Sequence, residues 1–197
     1  LRNVGRRLYQ AGNAIEGEYG SEDRMVQFEK FITLKLQTST IITDFVAPNA
    51  TVIGNVTAGD KSSIWYGATL LGNEGITIGN NSVIQDRVHV SRNVTIGNHV
   101  FVGPNSILQG ANLQNRAFIA MGATVRHATV EKGGFVAAGA VVEDNAVVKE
   151  GEVWAGNPAK FLRTMTPLED KSFTNILKKR KNSHVFIANK LKKVKEN

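Results

Sequence analysis

The stretch VTIGNHVFVGPNSILQG, residues 94–110, carries an aliphatic side chain at every sixth position, at Ile96, Val102 and Leu108. The same spacing extends in both directions from it, with a few steps of five residues. The series comprises Ile78, Ile84, Val90, Ile96, Val102, Leu108, Leu113, Ile119, Val125, Val130, Val136, Val142, Val148 and Val153. Neither the 3.6-residue period of a helix nor the two-residue period of an ordinary strand gives this pattern.

A six-residue unit of this kind needs one inward aliphatic residue on a short strand, and a corner where glycine or asparagine permits unusual backbone angles. Three units return the chain to its starting side, one coil higher, so that successive coils pair as parallel strands. The predicted stacks are Ile78, Ile96, Leu113, Val130 and Val148; Ile84, Val102, Ile119, Val136 and Val153; and Val90, Leu108, Val125 and Val142. Upstream, Ile53, Ile64 and Leu70 fit less strictly. The sequence therefore predicts an all-β core, a left-handed parallel β-helix of hexapeptide repeats shaped as a triangular prism.

We expect three regions along the chain: an N-terminal helical extension and lead-in over 1–44, the β-helix over 45–160, and a C-terminal α-helix with a basic tail over 161–197. The first region has apolar residues at helical spacing, namely Leu1, Val4, Leu8, Ala11 and Ile15. Its arginine-rich start is typical of a mitochondrial targeting segment or of a helix that lies on a surface. A helix packed against the prism or against a neighbouring subunit is the competing interpretation.

The end of the coils is marked by GNPAK, residues 156–160, which introduces Gly156 and Pro158. After it, Thr166 is a suitable N-cap, and Glu169 three residues later completes a capping box. Pro167 suits the first helical turn. A helix is therefore predicted from this point, and we expect it to pack an apolar face on the prism through Phe173, Ile176 and Leu177.

The net charge of +7 is concentrated in the last 20 residues, 178–197. This tail has a single acid, Glu196, and eight basic residues: Lys178, Lys179, Arg180, Lys181, Lys190, Lys192, Lys193 and Lys195. Nucleic-acid binding is not indicated, because basic residues are not interleaved with aromatic ones on the repeats. Contact with anionic lipid or a partner, and a simply solvated helix end, are both compatible with the tail.

Two absences in the sequence exclude whole classes of function. The chain has no cysteine, which rules out disulfides, cysteine-ligated metals and thiol nucleophiles in this chain. No apolar run approaches the ~20 residues that a transmembrane helix needs.

Four motifs together resemble the γ-class carbonic anhydrase family. They are GRRLYQAGNAI (5–15), IQD (84–86), the stretch 94–110 and GEVWAGNPAKFLR (151–163), within a similarity that spans about residues 5–175. The branch most resembled supplies subunits of mitochondrial respiratory complex I in plants, algae and protists. The resemblance implies a location at the matrix side of the inner membrane. The implied partners are homologous subunits in a heterotrimer and membrane-arm subunits of complex I.

The family holds zinc or iron between prisms with three histidines, two from one subunit and the third from its neighbour. The resemblance maps these ligands to the neighbourhood of His89, to Pro104 and to Gln109. The family also has two more residues between the Gln-Asp pair and its histidine than this chain has before His89. Proline has no donor atom, a glutamine carbonyl is a poor zinc ligand, and a catalytic zinc needs three protein ligands and an open position for water. We therefore expect no metal in this subunit, and zinc only at an interface between sister subunits.

Other positions of the resemblance concern the trimer interface. The chain reads Leu71-Gly72-Asn73 where the family has an Arg-Gly-Asp, whereas Gln85 and Asp86 match. The expected interface residues are Gln85, Asp86, His89, Pro104 and Gln109, and no catalytic residue is expected. The two other histidines of the coils, His99 and His127, are interpreted as outward-facing and solvated or interfacial, and no carboxylate pair or Ser/His/Asp spacing stands out beside them.

Three functions remain open on the sequence alone. The favoured one is a non-catalytic structural subunit, hence not an enzyme, in a carbonic anhydrase-like trimer on complex I. An active γ-class carbonic anhydrase is the alternative, although it needs three convergent histidines. A hexapeptide-repeat acyltransferase that uses His89 or His127 as its general base is the third. The chain lacks the large inserted loop that usually covers the coenzyme A pantetheine in such acyltransferases.

Overall fold

A computed structural model describes residues 40–173 and 175–176 of the chain. Within these residues the backbone forms short strands throughout and one helix, α1, which covers residues 167–173 and also 175–176. The strands are β1 Thr40–Ile41, β2 Phe45–Val46, β3 Thr51–Ala58, β4 Ser63–Ile64, β5 Thr69–Ile78, β6 Val83–Ile84, β7 His89–Ser91, β8 Val94–Ile96, β9 Phe101–Val102, β10 Ile107–Gln109, β11 Asn112–Leu113, β12 Phe118–Ile119, β13 Thr124–Arg126, β14 Thr129–Val130, β15 Phe135–Val136, β16 Val141–Val142, β17 Val147–Val148, β18 Glu152–Gly156 and β19 Ala159–Thr164.

The strands stack into three faces of a parallel β-helix. Face 1 contains β7, β10, β13 and β16, and face 2 contains β8, β11, β14 and β17. The long strands β3 and β5 run from face 1 into face 2, and β1 pairs with β3. Face 3 contains β2, β4, β6, β9, β12, β15, β18 and β19. The predicted hexapeptide β-helix is confirmed.

The inward aliphatic stacks have the predicted register almost throughout. On face 1, Leu108 pairs with Val90 in the preceding coil and with Val125 in the next, and all three side chains are fully buried. At the last coil the prediction is wrong by one residue. Val153 pairs with Phe135, and Trp154 lies beside Val136, because β18 leaves the coil to form an antiparallel hairpin with β19.

The first coils also differ from the predicted pattern at one position. Val52 is buried and pairs with Leu70, whereas Ile53 is only half-buried and pairs with Leu71. The coil from Leu70 to Val90 takes 20 residues, compared with 18 from Val90 to Leu108. The irregular length of this early coil explains why the six-residue spacing weakens upstream.

One corner of the prism is built by an asparagine ladder. The backbone N–H of Asn80 donates to Asn98 Oδ1 at 2.7 Å, and that of Asn98 donates to Asn115 Oδ1 at 2.8 Å. A side chain on Gly79 or Gly97 would lie within 2.7 Å of the accepting oxygens. Glycine therefore follows the aliphatic residue here because the ladder occupies the space of a Cβ atom.

Helix α1 packs on the outer side of face 3, against a ladder of aromatic rings. Phe118 stacks between Phe101 and Phe135, with ring centroids 4.7 and 5.1 Å away. Phe173 of α1 lies 4.3 Å from Phe118 and 4.9 Å from Phe135. Ile176 packs against the same cluster. The predicted helix and its apolar face are thus confirmed for these two residues, and Leu177 lies outside the described residues.

The β-structure extends beyond the predicted interval 45–160 at both ends. It begins at β1 and ends with β19 at Thr164, because the chain after Pro158 folds back on β18 before α1 begins. The predicted N-terminal helix and the basic tail lie outside the described residues. No helix within the described ranges is long and apolar enough to cross a membrane.

Candidate functional site

Two of the three mapped ligand positions lie on the outer side of face 1. His89 pairs in register with Ile107 of the next coil, and Gln109 pairs with Ser91. These four residues flank the inward Val90 and Leu108, and alternate residues of a strand share a side, so all four face outward. His89 and Gln109 therefore lie diagonally across adjacent coils, in different rows of side chains.

The third position lies at the corner between faces 3 and 1. Pro104 follows β9 and accepts a hydrogen bond from the N–H of Gly122 at 2.8 Å. It lines an open depression of about 420 Å³. The remaining lining residues are Asn49, Tyr66, Gly67, Asp86, Arg87 and Asn105. Pro104 and Asp86 thus share the depression, apart from the two positions on face 1.

Asp86 is tied to coils on both sides of its own. Its Oδ1 accepts a hydrogen bond from the backbone N–H of Tyr66 at 3.1 Å, and its carbonyl accepts one from Asn105 at 2.9 Å. This carboxylate is half-buried at the rim of the depression. Its side chain is therefore already used within the chain to hold the corner.

Gln85 differs from its neighbour because its side chain is fully buried within the single chain. Its backbone N–H donates to Val102 at 3.0 Å, but neither Nε2 nor Oε1 has a hydrogen-bond partner among the described residues. A buried amide without partners costs about 1–3 kcal/mol. The role of Gln85 at a subunit interface stays a prediction.

Leu71, which stands where the family has the arginine of its Arg-Gly-Asp, lies in the same row of side chains as Gln109. Leu71 pairs with Ser91, which pairs with Gln109, which pairs with Arg126. The half-buried Leu71 therefore puts an aliphatic group two coils from Gln109. An exposed arginine, Arg126, lies on the other side of Gln109, and the sequence analysis did not single it out.

A single carboxylate on the next coil accompanies His127, and the sequence analysis did not single it out. The Nδ1 of His127 lies 3.2 Å from Asp144 Oδ2, on the next coil. Its ring occupies the space where Gly110 has no side chain, since a Cβ there would lie 2.1 Å from Cδ2. The signal available in the sequence was the coil length, because Asp144 follows His127 by 17 residues. His99 is at an exposed corner, as expected, with a positive φ of 57°.

Among residues 40–173 and 175–176, no three histidine, aspartate or glutamate side chains are grouped so that they could hold a metal ion. The depression contributes one carboxylate, Asp86. On face 1, His89 lies diagonally across from Gln109, and the backbone N–H of His127 donates to the Gln109 carbonyl at 2.7 Å.

Similarity to known proteins identifies the repeat type and the family of this chain. The family model "Bacterial transferase hexapeptide (six repeats)" matches residues 75–110. The chain is 40% identical over 188 residues to "Gamma carbonic anhydrase 3, mitochondrial" of Arabidopsis thaliana, an alignment that covers 89% of this chain and 73% of that protein. The chain belongs to the γ-class carbonic anhydrase family. Its predicted family resemblance is therefore confirmed.

Further relatives support the same family and fold. The chain is 54% identical over 134 residues to "Gamma carbonic anhydrase-like 2, mitochondrial" of Arabidopsis thaliana, which covers 62% of this chain and about half, 52%, of that relative. A crystal structure of a hexapeptide transferase family protein from Anaplasma phagocytophilum superposes with a TM-score of 0.69 at 37% identity. The superposition covers 78% of this chain and 92% of the Anaplasma protein.

Proposed function

We propose that this γ-carbonic anhydrase family member is a non-catalytic structural subunit. In this proposal it forms a heterotrimer with homologous subunits, attached to NADH:ubiquinone oxidoreductase (complex I) at the matrix side of the mitochondrial inner membrane. The observation that carries the proposal is the donor set at the mapped ligand positions. His89 supplies the one imidazole, while Pro104 and Gln109 stand at the other two.

The residues present do not fit a three-histidine zinc site. Pro104 offers no side-chain donor at the corner, and Gln109 offers a neutral amide on face 1. His89 and Gln109 are also out of register by two residues, so a histidine at 109 would not face His89 directly. Because a change in the groups that merely orient the ligands costs about 10–100-fold in affinity or activity, replacing two ligands should remove the site.

The comparisons support the location and the class of partner. Two relatives that match this chain are named mitochondrial, one as a γ-carbonic anhydrase and the other as γ-carbonic anhydrase-like. Identity is higher with the second, at 54% over 134 residues compared with 40% over 188. The 54% identity applies to an alignment of 134 residues, and the 40% identity to one of 188 residues.

The metal content, CO₂ hydration activity and coenzyme A binding of a homotrimer of this chain test whether it is non-catalytic. A homotrimer of this chain should contain no stoichiometric zinc and should not hydrate CO₂, and it should not bind coenzyme A. One tightly bound metal per subunit interface with CO₂ hydration would overturn the proposal in favour of an active carbonic anhydrase. Saturable binding of coenzyme A would instead favour an acyltransferase.

Attachment to complex I is tested in mitochondria. The chain should co-migrate with complex I on native gels, together with homologous subunits in one trimer. Deletion of residues 178–197 should leave the trimer intact and weaken attachment in a salt-dependent way, because exposed charges are screened beyond about 8 Å at physiological ionic strength. A truncated chain that no longer trimerises would show that the tail belongs to the folded core.

A further inference from the structure

The outer side of face 1 carries two parallel rows of side chains, one on each side of the inward aliphatic stack. In the first row each residue pairs in register with the next: Thr51, Thr69, His89, Ile107, Thr124 and Val141. The second row pairs in the same way and comprises Ile53, Leu71, Ser91, Gln109 and Arg126. We call the residues of these two rows the face 1 surface. Because the pairing is continuous over six coils, they form one flat surface about 24 Å long.

The face 1 surface has little charge and is partly aliphatic. Its one arginine, Arg126, stands at the end of the second row, and it contains no lysine, aspartate or glutamate. Its outward aliphatic residues are Ile53, Leu71, Ile107 and Val141, of which Ile107 is 38% exposed and the others are half-buried. Uncharged, partly apolar surfaces of this kind are typical of the centre of a protein–protein contact.

The outward row of face 2 has a different composition. It consists of hydroxyl and amide side chains until its first aliphatic residue at β17, in the order Thr57, Thr77, Thr95, Asn112, Thr129 and Val147. The aliphatic groups on the outer side of face 1 are therefore not a general property of the repeats.

A second uncharged surface lies at the corner between faces 3 and 1. The N–H of Gly122 donates to the carbonyl of Pro104 at 2.8 Å, and the N–H of Gly139 donates to that of Met121 at 3.0 Å. Pro104, Met121 and Ala138 therefore occupy equivalent places in three successive coils, and we call them the corner surface. Met121 is its largest exposed apolar group, at 62%.

We propose that the face 1 surface of one subunit packs on the corner surface of the next, and that this apolar contact closes the trimer without a metal. The inference rests on the trimer of the proposed function. A second copy of this chain is the occupant, because the chain carries both surfaces. His89 and Gln109 lie in one surface and Pro104 in the other, so both include mapped interface positions. A contact between two unlike surfaces of the same chain repeats around a ring.

The test uses the chain expressed alone, without sister subunits. Ile107→Arg places a charge in the face 1 surface, and Met121→Asp places one in the corner surface. Thr69→Arg and Thr77→Arg are a matched pair, because both threonines lie on β5 and point outward, the first on face 1 and the second on face 2. Thermal unfolding confirms that each variant folds.

Analytical ultracentrifugation measures the assembly. We expect the unmodified chain and Thr77→Arg to form trimers that persist in the presence of a metal chelator. Ile107→Arg, Thr69→Arg and Met121→Asp should weaken assembly roughly 30-fold or more, because each buries an unpaired charge at the contact. A mixture of Ile107→Arg with Met121→Asp should form dimers, since one intact face 1 surface then meets one intact corner surface.

The inference is wrong if the unmodified chain stays monomeric, or if the chelator dissociates its trimers. Undiminished assembly of Ile107→Arg, or equal losses for Thr69→Arg and Thr77→Arg, would place the contact on another surface. Undiminished assembly of Met121→Asp, or no dimers in the mixture, would show that face 1 does not meet the corner. Trimers that hydrate CO₂ while all variants behave as expected would contradict only the proposed function.

Discussion

His89 and Gln109 lie on the same face of adjacent coils but two residues out of register, since His89 pairs with Ile107 and Gln109 with Ser91. Pro104 lies apart from both, at a corner shared with Asp86. In a family whose metal sites span two subunits, this chain would supply the positions His89 and Gln109 at one interface and Pro104 at the other. Restoring the ligands should therefore have unequal effects at the two interfaces.

We expect Pro104→His to add one metal to a heterotrimer whose two sister subunits keep their histidines. The metal site at this interface needs only one imidazole from this chain, because the sister subunit supplies the other two histidines. The unmodified trimer, with one copy of this chain, should hold at most one metal, between the sisters. Metal per trimer, measured by elemental analysis, checks both values. Two or three metals in the unmodified trimer, or none gained by Pro104→His, would contradict the expectation.

The Gln109→His variant is expected to add no tightly bound metal at the other interface. Its new imidazole would lie beside Ser91 and Arg126 and diagonal to His89. A pair of ligands displaced by this much does not give the tetrahedral arrangement that zinc prefers. Metal analysis of the same heterotrimer tests it, with Pro104→His as the positive control. Gain of a full site would show that the coils adjust their register on metal binding.

Gly110→Ala should destabilise the chain by more than Gly139→Ala does. Both glycines have positive φ angles, 58° and 67°, so both variants incur the cost of roughly 1–2 kcal/mol of placing an L-residue in the left-handed region. Only a Cβ at position 110 meets a side chain, the ring of His127, whereas a Cβ at 139 has nothing within 4 Å. The ring must then leave Asp144, at an extra cost of about 1 kcal/mol.

A double-mutant cycle with His127→Ala measures this contact directly. Urea unfolding of the two single variants and the Gly110→Ala/His127→Ala double should show that the extra cost disappears once the ring is absent. If Gly110→Ala and Gly139→Ala are equally costly, the imidazole does not occupy the space beside Gly110.

Leu108→Ala should lower the free energy of unfolding by about 2–5 kcal/mol, because it leaves a cavity in a fully buried stack. The adjacent Ile107 provides a matched control, since it faces outward and is exposed. In the isolated chain, Ile107→Ala should change the stability by no more than about 0.5 kcal/mol. Chemical denaturation compares the two. Equal losses would place both side chains in the core and contradict the alternation of face 1.

The start of α1 should loosen in acid. The Arg163 guanidinium, together with the backbone and hydroxyl of Thr166, lowers the pKa of Glu169 from its ordinary 4.5 to about 2. A carboxyl with a depressed pKa stabilises the folded state above pH 4.5, and this contribution is lost as the pH falls from there towards about 2. The stability difference between the unmodified chain and Glu169→Gln should therefore shrink over this range. Glu74→Gln, on β5, is the control, and a pH-independent difference would contradict the assignment.

The sequence by itself determined the three aliphatic stacks and the start of α1. Both are local: an inward position must be apolar whichever coil lies above it, and the reciprocal hydrogen bonds of Thr166 and Glu169 need only three residues. The same reasoning explains why the asparagine corners and their glycines could be recognised as corners before the structure was known.

Only the tertiary structure decided which residues meet across coils. Coil length sets these contacts, and it varies from 20 residues between Leu70 and Val90 to 17 between Leu108 and Val125. A change of one residue at a corner moves every later neighbour. The His127–Asp144 pair was within reach of the repeat pattern, since each residue follows a member of one predicted stack, Val125 or Val142, by two positions. The pairing of Val136 with Trp154 instead of Val153 was not, because it depends on where the chain leaves the last coil.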